Sequence, residues 1–326
     1  MNPRVKLALL FLLCLLSCKR IPLYEPSSDI YLKLEIKLDT EVSLNGDLDL
    51  EGNEELRDKA CGKMSRNVRV CFYDPDTHKL VAQEFLPSEG GFVDVAPGVY
   101  DVIVYSLGCE VTQVEGTDIR AMGRAFTSAA GQTVKVTKAG VTTLSYDVIY
   151  EPDHLYVGRL EGVVIPVRAS IDKAVVIEAG MRSLLETYSF ELRDVTGAGY
   201  IRDASIYITG QASAKYLWDG RYPLTPCAIM FPVEFDAEKG RLCTVFNTFG
   251  RIPGTESVVL LNVIVNTTNG AKYQWSFDVT DQFDNPDNTR HEIIIDEEVV
   301  IPDDSSGGGF TAGVYEWDTE VVPIYM

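Results

Sequence analysis

Histidine is scarce in this chain, with only His78, His154 and His291 among 326 residues. None sits in an H-E-x-x-H pattern or has a second histidine four residues away, so a helix-borne zinc site finds no support. The seven cysteines include no C-x-x-C pair, which argues against a zinc ribbon and a thioredoxin-type redox site. No G-x-S-x-G elbow is present, and the glycine run at 307–309 lacks the lysine and helix of a phosphate loop. Positive charge is also in deficit: 29 lysines and arginines face 48 carboxylates, a formal charge of -19 that would repel nucleic acid. After residue 17 no apolar run approaches the ~20 residues that a helical membrane span needs. These absences lead us to expect a non-enzymatic protein with no cofactor, no resident metal and no nucleic-acid partner.

What is present begins at the N-terminus. Arg4 and Lys6 precede an unbroken apolar run at 7–16, which ends in Leu15-Leu16-Ser17-Cys18. The run is too short to span a bilayer and has the layout of a secretory signal. A cysteine after small and aliphatic residues suits cleavage before Cys18 and acylation of its thiol; the alternative is an ordinary secretory signal, in which case Cys18 has no such role. Removal of residues 1–17 takes Arg4 and Lys6 with it and moves the formal charge from -19 to -21. So acidic a body would not adhere to anionic headgroups, and attachment to a membrane would rest on the lipid. Cys61, Cys71, Cys109, Cys227 and Cys243 then remain, an odd number. Cys61 with Cys71, or Cys227 with Cys243, could close short loops, but most read as small buried hydrophobes.

Along the chain the dominant signal is alternation. Ile30, Leu32, Leu34, Ile36 and Leu38 alternate with polar or amphipathic neighbours, as a half-buried strand requires. Val68, Val70 and Phe72 repeat the pattern after a carboxylate-rich stretch at 45–66, which reads as an exposed loop. Residues 99–107 are apolar on both faces, the mark of a central strand. Strand-like runs follow at 132–150, 156–170, 174–178, 189–193, 201–209, 257–266, 272–279 and 291–302. Asn269-Gly270 is a strong hairpin turn, and only 118–127 looks moderately helical. Many short strands at regular spacing predict an all-β chain of sandwich domains. Length predicts two such domains, divided near Glu151-Pro152: a signal at 1–17, a spacer at 18–28, domains at 29–151 and 152–303, and a tail at 304–326.

The tail joins a flexible linker, Asp303-Asp-Ser-Ser-Gly-Gly-Gly309, to a final strand pattern. There Val314, Tyr315, Trp317, Thr319 and Val321 form a candidate donor strand that could pair with its own sheet or with a neighbour's edge. Tyr216, Trp218 and Tyr222 cluster around Gly220 and could form a platform for a sugar ring or a partner, or plug the end of a sandwich. Asp278, Asp281, Asp284 and Asp287 are spaced by three, which is not an EF-hand; a solvated turn is the better reading.

Several segments together, namely Phe92-Val-Asp-Val-Ala-Pro-Gly-Val-Tyr-Asp-Val-Ile-Val-Tyr105, Asp153-His-Leu-Tyr156, Tyr207 to Gly210 with Ala212, Phe246-Asn-Thr-Phe-Gly250, Phe277-Asp-Val-Thr-Asp281 and Glu316-Trp317-Asp318, resemble the fimbrillin-like lipoproteins. The resemblance implies two transthyretin-like, Greek-key β-sandwich domains, an anchor in the cell outer membrane through Cys18, and a place in a fimbrium as shaft, tip or anchor subunit. It implies other fimbrial subunits, or copies of this chain, as partners, and surface display more than a periplasmic orientation. A surface glycan-binding module is the alternative function. Shaft subunits of that kind are cut after an arginine near the first strand; Arg57 and Arg66 lie in the polar loop, after that strand. Lys19-Arg20 departs from the acidic residues that often follow the lipidated cysteine.

Overall fold

The computed structural model describes residues 28–36, 56, 59, 62, 65–137, 143–166, 175–252, 258–289 and 291–302. Cys18, Cys61, Arg57 and the candidate donor residues Val314, Tyr315, Trp317, Thr319 and Val321 lie outside them.

The chain is all-β, as its alternation requires. Its strands are β1 (Ser28–Ile36), β2 (Asn67–Tyr73), β3 (Leu80–Pro87), β4 (Gly91–Val95), β5 (Gly98–Ser106), β6 (Gln113–Glu115), β7 (Arg124–Phe126), β8 (Ala129–Thr137) and β9 (Thr143–Tyr150). There follow β10 (Tyr156–Ile165), β11 (Val175–Ser183), β12 (Glu186–Leu192), β13 (Val195–Thr196), β14 (Ile201–Ala212), β15 (Ala214–Tyr216), β16 (Pro226–Asp236), β17 (Arg241–Thr248), β18 (Leu260–Thr267), β19 (Lys272–Asp278), β20 (Glu292–Ile295) and β21 (Val299–Val300). A short helix, α1 (Thr280–Asp284), carries Asp281 and Asp284.

A seven-stranded sheet runs β3-β2-β5-β10-β11-β1-β4, and a nine-stranded sheet runs β19-β18-β14-β16-β17-β12-β20 with β9 and β8 branching from β16. The first sheet therefore draws β10 and β11 from beyond Glu151, while β8 and β9 join the second. β5 is the central strand its composition predicts, lying between β2 and β10. Its alternate residues feed two cores. Tyr100, Val102 and Val104 pack with Val68, Val70 and Phe72, whereas Ile103 and Tyr105 join Cys71 and Tyr73 in the larger core shared with the second sheet. Burial on both faces is why its sequence is a continuous apolar run.

In the larger core, Phe231 and Phe246 stack with centroids 4.4 Å apart, and Phe246 stacks on Tyr188 at 5.6 Å. β14 bulges between Ile208 and Gln211, where Gly210 takes φ 74° at no steric cost. The Asn269-Gly270 turn forms as expected, with Gly270 at φ 89°. The helical reading of 118–127 fails: the segment is a run of turns leading into β7. Its backbone bonds go elsewhere, Leu80 N–H to the Asp118 carbonyl and Arg120 N–H to His78.

Candidate functional site

The most unusual feature of the sheets is the placement of β1. It runs parallel to β11, with Ile30 opposite Val175 and Ile36 opposite Met181, and antiparallel to β4, with Ser28 opposite Val95 and Leu32 opposite Gly91. Neither neighbour is close in sequence: β11 is also paired to β10, whereas β4 has β1 as its only ladder partner among the described residues and is otherwise seated by Val93 and Val95 in the smaller core. On the inner face of the gap that β1 fills, Val93, Val95, Ile177, Ala179 and Met181 enter the smaller core. On the outer face Phe92 and Val176 flank the position of Tyr31 and are 66% and 56% exposed. Without β1, the facing backbones of β4 and β11 would present unpaired N–H and C=O groups, which an extended chain satisfies.

The connection from β1 to β2 is tied to the body at the turn after β9. Lys59 Nζ meets Glu151 Oε2 at 2.7 Å, and the Lys59 carbonyl lies 2.7 Å from His154 Nε2. Glu151 also accepts the Asn247 N–H of β17 at 2.8 Å. Asp153 accepts the backbone N–H groups of Val111 and Thr112, the latter at 3.1 Å, and Thr112 Oγ1 accepts the Asp153 N–H at 2.7 Å. Burial pushes the Glu151 carboxyl up and the His154 imidazole down from their ordinary values. These residues line a cavity of about 600 Å³ where β9 and β17 diverge from β16. Cys109 lines it too, and burial with the nearby Asp153 charge lifts its thiol to about 11, which makes it a poor nucleophile.

Tyr216, Trp218 and Tyr222 are all half-buried. Each has a cation of the same chain near its ring: Arg221 4.2 Å from Tyr216, Arg120 4.2 Å from Trp218, and Lys215 5.1 Å from Tyr222. Trp218 and Tyr222 also pack against the larger core. The acidic residues of 278–287 separate into different jobs. Asp278 accepts the N–H of Thr280, the first residue of α1, at 3.0 Å, Asp284 pairs with Arg251, and Asp287 is exposed. No metal-ligating group of three carboxylate, histidine or cysteine side chains occurs among the described residues. Arg66 is exposed, with its carbonyl accepting the Ser88 N–H. Cys71, Cys109, Cys227 and Cys243 are free thiols, three of them buried.

Fold and site together define an all-β protein whose sheets, with an N-terminal strand fitted between distant neighbours, are its working parts. Residues 58–234 match the family described as a domain of unknown function (DUF5119), and the chain belongs to that family. A curated protein of Bacteroides ovatus, provisionally named fimbrium anchoring subunit Fim4B, is 22% identical over 247 residues, covering 75% of this chain and 69% of its own. A crystal structure from B. ovatus, provisionally described as an adhesin, shares the fold at TM-score 0.57 with 19% identity, covering 85% of this chain and 93% of the other. The fimbrial anchor protein Mfa2 of Porphyromonas gingivalis is a weaker likeness, at TM-score 0.48 and 10% identity over 82% and 90% of the two chains.

Proposed function

We propose that this protein is a non-enzymatic subunit of a cell-envelope fimbrium, attached to the outer membrane through a lipid on Cys18 and joined to like subunits by strand pairing. The observation that carries the reading is the seat of β1 between β4 and β11, strands distant from it in sequence, where an extended segment satisfies the backbone groups on both sides. The relationship to a protein named as a fimbrium anchoring subunit supports it and favours the anchor role. An anchor keeps its lipid and its first strand, so Arg57 and Arg66 would stay uncut, β1 would keep its own gap filled, and this chain would donate its tail to a like gap on a neighbouring subunit. The donor side of the contact is assigned to Val314, Tyr315, Trp317, Thr319 and Val321. The two-unit division near Glu151 is part of the same proposal, with strands crossing it in both directions: β10 and β11 join the sheet of β1 to β5, and β8 and β9 join the other sheet.

Intact-mass analysis of the protein from its native envelope, with protease shaving of whole cells, tests the proposal. An acylated chain that starts at Cys18, uncut after Arg57 or Arg66 and removed by shaving, is the expected result. An unacylated chain would remove the anchor assignment. Glycan binding at Tyr216, Trp218 and Tyr222 has less behind it, because each ring already has a cation of this chain beside it. A glycan array probed with the native protein and Trp218→Ala separates the two: specific sugar binding lost in the variant would favour the module.

A further inference from the structure

We propose that His154 is the acid-sensitive pin of a clasp that fastens the connection between β1 and β2 to the body of the protein. The clasp is built from both sides. Lys59 is gripped twice, its ammonium by Glu151 and its carbonyl by the His154 ring. Three residues on, Gly62 lies over that same ring in the left-handed region at φ 62°; a Cβ there would come within 2.8 Å of His154 Nδ1 and 2.6 Å of the Tyr156 hydroxyl. The turn that carries His154 is anchored in turn to β17 through Glu151 and to residues 111 and 112 through Asp153.

The geometry fixes the tautomer of the neutral ring. With Nε2 facing a carbonyl, Nε2 carries the proton and donates it to Lys59. In that tautomer Nδ1 is an unprotonated, buried nitrogen with no hydrogen-bond partner among the described residues. A second proton would create a buried N–H with no acceptor, against Gly62 and close to the Lys59 ammonium. The charged groups around the ring are Lys59 from the connection and Asp153 from its own turn, with Glu151 and Glu110 lining the same cavity and the Cys109 thiol facing the His154 carbonyl at 3.5 Å. Burial is the dominant influence and disfavours the charged ring; it outweighs the Lys59 carbonyl and then Asp153, which favour it, the Asp153 carboxylate being engaged by Val111 and Thr112.

The sign follows from linkage. A histidine held below its ordinary value, about 6.5, keeps the clasp closed above that pH and weakens it as pH falls toward the folded value. Glu151 works in the opposite sense: burial raises it, so its proton uptake favours the closed, buried state and does not open the clasp. Loosening on acidification is thus the imidazole's contribution, which Glu151 opposes; the proposal has the imidazole prevail between pH 7.5 and 5.5 and loosen the link behind β1, leaving β1 held by its own ladders. The clasp would operate whatever the protein assembles with.

The test is amide hydrogen exchange of the full chain at pH 7.5 and 5.5, corrected for intrinsic rates. Exchange in peptides spanning 56–66 should rise severalfold at pH 5.5, up to about tenfold for one pH unit below the ordinary histidine value, while β5 and β17 peptides stay protected. His154→Gln, which retains a neutral donor and cannot titrate, should remove the difference. Equal exchange of the native 56–66 segment at both pH values would overturn the proposal, as would an undiminished pH response in a folded His154→Gln protein.

Discussion

Asp153 fastens its turn to the neighbouring segment: its carboxylate accepts the Val111 and Thr112 amides, next to the contacts that Glu151 and His154 make from the same turn. Removing it strands two N–H groups that a charged acceptor satisfies. Asp153→Ala should therefore lower stability by about 2 to 3 kcal/mol in urea denaturation. The thiols give a second prediction at this scale. Burial raises Cys71, Cys227 and Cys243 above their ordinary values and lifts Cys109 to about 11, so all four should resist iodoacetamide at pH 8 until the chain unfolds. Mass spectrometry of the alkylated native protein reads this directly. The reading of most cysteines as small hydrophobes was thus legible in the chain. His154 was not: it reads as a turn residue because the carbonyl that engages it lies 95 positions away, a contact no local pattern encodes.

At the scale of elements, alternation identified β1 and β2, and a continuous apolar run identified β5, where residues 100–106 are all buried. β16 and β17 escaped both. Arg241, Thr244, Asn247 and Thr248 are all buried in β17, so its sequence looks half polar although the whole strand is inside. Those polar groups are satisfied by tertiary partners: Arg241 by Glu191 at 3.0 Å, Thr248 by Gln211 at 2.7 Å, and Asn247 by Thr187 at 2.8 Å. The core they surround should be sensitive in the ordinary way. Phe231→Ala removes the stacking partner of Phe246 and should cost about 3 to 5 kcal/mol by the same denaturation assay. The β1 gap gives the element-scale prediction most tied to function. A chain starting at residue 38 should take up a synthetic peptide of sequence 28–36 and gain thermal stability from it, whereas a peptide that places the alternate residues on the wrong face should not. Failure of the matched peptide would deny the gap its affinity for an extended strand.

For the molecule as a whole, the acidic charge, the scarcity of catalytic motifs and the all-β composition were legible from the sequence alone. The path of the sheets was not. The parallel pairings of β1 with β11, β9 with β16 and β12 with β20 each join strands far apart in the chain, and long-range pairing leaves no signature in local periodicity. The proposal that assembly proceeds by strand pairing with the tail as donor rests on the seat of β1 and on the alternation of the tail's sequence. The measurement that tests this most directly is assembly of a chain ending at residue 309. The account predicts an unchanged far-ultraviolet circular dichroism spectrum and melting temperature together with loss of crosslinked like subunits. Undiminished assembly by that folded, truncated protein would contradict it.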